Sequence, residues 1–138
     1  MKKNSTSLLL MEMALAILFF ALSAAVILQV YVGAHRRSTQ SETVVTATLL
    51  SEDAVNALRA SDLPTDAFFA DDGYMQTETG YEKQIILNDK RYVVMFTTAA
   101  EQTGTAGSLF LGEVSVMFAG ETLHTMDAGR YISGGVLP

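Results

Sequence analysis

Residues 8–32 read LLLMEMALAILFFALSAAVILQVYV, and this stretch decides the fold. Over 25 residues only Glu12, Ser23 and Gln29 are clearly polar, and no proline interrupts the run. A helix needs roughly 20 apolar residues to cross the hydrocarbon core of a bilayer. Leu, Ala, Met and Phe dominate the run and favour a helix. Such a helix is apolar on every face, so a soluble protein would have to surround it on all sides. The rest of this 138-residue chain is too small and too polar to do that. The stretch therefore predicts insertion in a membrane.

Glu12 is the exception within the run. A carboxylate inside an apolar span is costly and needs a partner or a function. One reading leaves it near the interface, where it snorkels and suits the helix dipole. The other depends on what precedes it. Lys2 and Lys3, followed by Asn4, Ser5, Thr6 and Ser7, form a short basic and polar leader, and the apolar run starts abruptly at Leu8. A cut between Ser7 and Leu8 would make Glu12 the fifth residue of the mature chain.

A Lys-containing leader, a small residue at the cut, an apolar run and a glutamate at mature position five resemble the class III signal of type IV pilins and type II secretion pseudopilins. The resembling stretch runs from Lys2 to about Ala60, and Ser7-Leu8-Leu9-Leu10-Met11-Glu12 is its strongest part. The family usually has Gly before the cut and Phe or Met after it, where this chain has Ser7 and Leu8. The resemblance implies a leader, residues 1–7, removed by a prepilin peptidase, and methylation of the new amine on Leu8. It implies partners: other pilin-like subunits, membrane lipid and an inner-membrane assembly platform. It also implies that Glu12 of one subunit meets the freed amine of the next. Two charges buried among packed helices are costly unless they meet, so the pair would set the register between subunits. The nonstandard Ser7 and Leu8 favour a minor subunit.

Two rival readings of the amino terminus stay open. Residues 1–37 form a plain signal anchor holding a surface binding domain in one. In the other, Leu8–Leu22 is the apolar part of a secretory signal, with Ser23-Ala24-Ala25 as a small-residue cut site and a free domain after Ala25. Hydrophobicity resumes at once in Val26-Ile27-Leu28, against the second rival.

Charge is uneven along the chain. Residues 1–37 carry a net +3, whereas residues 38–138 carry 5 basic and 14 acidic side chains, a net −9. A surface for nucleic acid needs clustered Lys and Arg, so no direct nucleic-acid binding is expected. Basic residues flank the apolar run on both sides, Lys2 and Lys3 before it and Arg36 and Arg37 after it, and the positive-inside rule is nearly balanced. The acidic, patterned segment beyond residue 38 favours a cytoplasmic amino terminus and a carboxy-terminal domain outside, as the resemblance also implies. All four cations are expected at the membrane interface. The chain has no cysteine, which removes disulfides, thiolate metal sites and Cys nucleophiles.

Beyond Val32, residues 33–60 predict an amphipathic continuation of the helix. Val44, Ala47, Leu50, Ala54, Ala57 and Leu58 recur at three- and four-residue steps as one apolar stripe. Pro64 ends the helix, because proline disfavours helix in the residue before it. Residues 61–138 predict a loop followed by an antiparallel sheet. Asp62–Gly80 reads as the loop, with its aromatics tacked on the core. The expected strands are Glu82–Leu87, Arg91–Thr98, Leu109–Phe118 and Thr122–Met126. Ala99–Ser108 reads as a flexible loop, and Asp127–Pro138 as a partly irregular tail. Helix followed by strands gives an α+β class with about four strands.

No constellation for chemistry emerges, so no enzyme activity and no cofactor are expected. His35 and His124 lie apart without ligand spacing, and His124 is expected exposed on a strand. Asp71, Asp72 and Glu78 are weak candidates for a calcium loop, because they lack the ligand spacing of a known one.

Overall fold

The computed structural model describes residues 2–134, with side chains described from residue 4 onward. Helix α1 runs from Lys2 to Ala60, α2 from Thr65 to Asp71, and five strands follow: β1 Met75–Gln76, β2 Gly80–Leu87, β3 Lys90–Gly104, β4 Gly107–Phe118 and β5 Glu121–Ser133. The class is α+β. The chain divides into two compact units, Met1–Ser41 and Glu42–Pro138.

The first unit is helix throughout its described length. From Leu8 to Val32 every large apolar side chain is exposed, from 40% at Val32 to 77% at Phe20. Each such side chain left in water forgoes about 1.5–3 kcal/mol of burial. The run is long and apolar enough to cross a membrane. Ser23 does not break it, because its hydroxyl donates to the Phe19 carbonyl at 2.9 Å within the helix.

The second unit packs the last turns of α1 on one face of the sheet. Thr43, Ala47, Ser51, Val55 and Leu58 form the buried line. The spacing is four residues, then three, as a single helix face requires. The stripe is rotated from the one expected: Ala47 and Leu58 are buried, but Val44 and Ala57 are exposed. Small side chains explain the shift. Thr43, Ala47 and Ser51 let backbone and sheet approach, and the Ser51 hydroxyl is satisfied by the Thr48 carbonyl at 2.7 Å.

The sheet is a meander in the order β1-β2-β3-β4-β5, antiparallel throughout. Tyr92, Val94 and Phe96 alternate with Val93, Met95 and Thr97 as their period of two requires, and the first set is fully buried with Val114 and Val116 of β4. Two hairpins close through two-residue turns in the left-handed region: Asn88 at φ 51° with Asp89 at φ 60°, and Ala119 at φ 51° with Gly120 at φ 83°. That geometry matches the twist of the flanking strands. Gly80 of β2 packs tightly against β3, and any Cβ there would collide with the Phe96 carbonyl.

The structure has five strands where about four are expected. β1 lies inside the segment that reads as a loop, and two residues are too few to give a periodic signal. β3 and β4 run through most of Ala99–Ser108, joined at Thr105-Ala106. Gly and Thr there read as loop by composition, yet pairing to a neighbour on both sides of β4 overrides that preference. β5 likewise extends through Asp127–Ser133; residues 135–138 of the expected tail lie outside the described residues.

α2 also falls in the expected loop. It is only seven residues long, yet both ends are specified. Pro64 precedes it, and Asp66 in its first turn suits the dipole. Gly73 at φ 82° ends it, with Tyr74 donating to the Phe69 carbonyl at 2.9 Å and Gly73 to the Ala70 carbonyl at 3.4 Å. This is a Schellman stop. As expected, the aromatics fasten this segment. Phe69 is fully buried, stacked on Tyr81 at 4.0 Å between ring centroids, with Phe96 at 5.0 Å.

Candidate functional site

Glu12 lies on one face of α1 with Asn4, Ser5, Leu8 and Leu9, around a shallow groove of about 470 Å³. Positions 5, 8, 9 and 12 share a face because neighbours on a helix surface lie three and four residues apart. Leu8 and Glu12 are four residues apart, so they are offset by about 6 Å along the axis. Leu8 is 71% exposed and Met11 69% exposed. Among the described residues, the ion pairs are Lys83–Asp72 and Lys90–Glu42, and neither involves Glu12. The helix starts at Lys2, so Ser7 and Leu8 lie inside a helical turn rather than at its beginning. The side chains of Lys2 and Lys3, expected as interface anchors, lie outside the described residues.

At the other end of the apolar run, Arg36 and Arg37 are exposed. His35 stacks on Tyr31, one turn earlier, with ring planes 9° apart and centroids at 6.4 Å. Tyr, His and Arg are side chains with an apolar body and a polar tip, suited to a boundary between hydrocarbon and water.

The second unit holds a polar centre that sequence reasoning missed. Arg130 on β5 is 6% exposed. Its Nη1 donates to the Leu58 carbonyl at 3.1 Å and to the Ser61 carbonyl at 3.2 Å. Its Nη2 donates to the Leu63 carbonyl at 2.7 Å. These carbonyls lie at and beyond the end of α1, where four have no helical partner. A cation there also meets the negative end of the helix dipole. Burial lowers the Arg130 pKa, and the nearby Asp62 carboxylate opposes that shift. Phe68 covers the guanidinium, 5.8 Å from its ring centroid. Beside it, Arg59 Nε donates to the Gly129 carbonyl at 3.4 Å. In the sequence, Arg130 is one cation in a glycine-rich tail. Only the pairing of β5 reveals that it faces the core.

The weak calcium candidates do not converge. Asp71 ends α2, Asp72 pairs with Lys83 at 3.3 Å, and Glu78 lines a different groove with Asp66, Tyr81 and Glu101. Among the described residues no group of three acidic, His or Cys side chains could hold a metal ion. In that groove Tyr81 donates to Asp66 Oδ1 at 2.6 Å. Burial, then the bond and charge of Asp66, and the charge of Glu101, push the Tyr81 phenol up to about 12. Burial and, after it, Asp72 also raise Tyr74. His124 is half-buried, not exposed as expected: it pairs with buried Val116, so it sits on the inner face. A shift of register between Val116 and Met117 puts it there, and no sequence pattern signals that shift.

No family model matches this chain, and no curated protein sequence or solved structure matches it.

Proposed function

We propose that the protein is a non-enzymatic structural subunit, of the minor kind, in a type IV pilus or pseudopilus-like filament, held in the membrane by Leu8–Val32 before assembly. The observation that carries this reading is Glu12: one carboxylate in the run Leu8–Val32, whose large apolar side chains are all exposed, four residues beyond Leu8. A prepilin peptidase would release the Leu8 amine. In a bundle of such helices each amine would meet Glu12 of a neighbour displaced along the axis, and a wrong step would leave both charges unpaired. The α+β class, with a long helix and a sheet packed on its last turns, is compatible with a pilin-like subunit. The carboxy-terminal domain would face outward, on the cell surface and then on the filament.

The test is Glu12→Ala in cells that supply a prepilin peptidase and the partner subunits. Removing one member of a buried charge pair costs about 3–5 kcal/mol. That is more than a hundredfold in an association constant, so the variant should remain in the membrane and disappear from sheared filaments. Normal incorporation of the variant would sink the registry role of Glu12, whereas absence of the unsubstituted protein from filaments would favour a plain signal anchor.

A further inference from the structure

Where α1 leaves the apolar run, one of its faces carries three polar side chains around a gap. Gln29, Gly33, Arg36 and Arg37 follow one another at steps of four, three and one residues. At 3.6 residues per turn they fall within an arc of about 100°. All four belong to the first compact unit, Met1–Ser41. Gln29, Arg36 and Arg37 are exposed. A Cβ at Gly33 would meet no side chain of a neighbouring turn within 4 Å, so the helix surface between them is bare.

Neither arginine is answered by a carboxylate of its own helix. Neighbours on a helix surface lie three and four residues apart, and none of those positions around Arg36 or Arg37 is acidic. The next acid along the chain, Glu42, pairs with Lys90. Among the described residues, neither arginine takes part in an ion pair.

Depth in the bilayer follows from counting. A crossing takes roughly 20 residues. Counted from Leu8 it ends beside Gln29, one turn before Gly33. Helical side chains tilt towards the amino terminus of their helix. Arg36 and Arg37 therefore reach back over Gly33 towards the same level, their stems along the helix and their heads in the polar layer. Guanidinium groups match phosphate oxygens with paired N–H donors.

We propose that Gln29, Gly33, Arg36 and Arg37 form a seat for the phosphate of an anionic phospholipid. The guanidinium groups donate to the phosphate, which rests against the helix at Gly33, and the Gln29 carboxamide donates to the ester oxygens below it. A net-negative headgroup is favoured over phosphatidylcholine, whose own cation would face the two arginines. The proposal rests on the membrane-spanning reading of Leu8–Val32, and it gives the arginines a lipid preference beyond anchoring.

The chain contains no tryptophan, so one introduced indole reports one place. Val30, 67% exposed and beside this face, becomes the reporter as Val30→Trp. The full chain is placed in vesicles of equal phosphatidylglycerol and phosphatidylcholine, with bromine on the acyl chains of one lipid or the other. The expected result is quenching by both, several-fold stronger when phosphatidylglycerol carries the bromine. Adding Arg36→Gln with Arg37→Gln should bring the two lipids level. Adding Gly33→Leu, which fills the seat and keeps both charges, should remove most of the preference. A preference that survives the two Gln substitutions overturns the proposal. One that survives Gly33→Leu alone replaces the seat by diffuse attraction between charges, and also overturns it. Loss of the preference on adding millimolar glycerol phosphate to the water would assign the site to a soluble phosphate instead of a lipid. No quenching by either lipid overturns the span, and the seat with it.

Discussion

Arg130 Nη2 donates to the Leu63 carbonyl at 2.7 Å, across 67 positions of sequence. One side chain of the last strand thereby holds the end of the long helix, the Pro64 corner and the start of α2 in one arrangement. Oxygens that the helix leaves unpartnered at Leu58 and Ser61 become acceptors for a cation that α1 itself does not supply.

Arg130→Met should therefore destabilise the domain by about 2–3 kcal/mol, because buried carbonyls lose their donors while the apolar stem is retained. Arg130→Lys should recover only part of this, since an ammonium does not reproduce the planar fork. Thermal unfolding of the full chain in detergent reads both, at about 4–8 °C per kcal/mol for a domain of this size. A midpoint unchanged in Arg130→Met would show that the carbonyls are equally well served by water.

Tyr81 sets an alkaline limit. The phenol is neutral when protonated, and folding raises its pKa from 10.0 to about 12. The folded state thus binds the proton more tightly than the unfolded state. The associated stability is whole below pH 10 and is lost as the pH rises towards 12. Tyr81→Phe should flatten the fall in unfolding midpoint over that window, apart from what Tyr74 contributes. An equally steep fall in Tyr81→Phe would assign the alkaline transition elsewhere.

Val45 and Leu49 are 56% and 55% exposed on the side of α1 away from the sheet. In a filament this face would lie against neighbouring helices. Leu49→Asp should change domain stability by no more than about 0.5 kcal/mol, as surface substitutions do, while reducing incorporation into filaments. Circular dichroism and the pelleted filament fraction separate the two effects. Unimpaired incorporation would mean that this face meets solvent in the assembly.

Much of this architecture is legible in the amino-acid sequence. The apolar run, the Pro64 stop and the alternation in β3 and β4 each carry a physical period or a steric rule, and each survives folding. Three features lack such a signal. The centre of the helix stripe depends on small and polar residues, Thr43 and Ser51, that hydropathy does not mark as buried. The ends of β3 and β5 depend on pairing rather than propensity. Arg130 looks like a solvated charge because its partners are carbonyls, which are invisible in side-chain patterns. Glu12 is the reverse case: its spacing from Leu8 is evident in sequence, whereas no ion pair among the described residues involves it.

The central claim is that the chain matures between Ser7 and Leu8 and uses the new amine opposite Glu12. The most direct test is the mature amino terminus, by intact mass and terminal sequencing of protein from membranes of cells containing a prepilin peptidase. The account predicts a chain beginning at Leu8, with the terminal amine methylated. A chain beginning near Val26, or one retaining Met1, would contradict it.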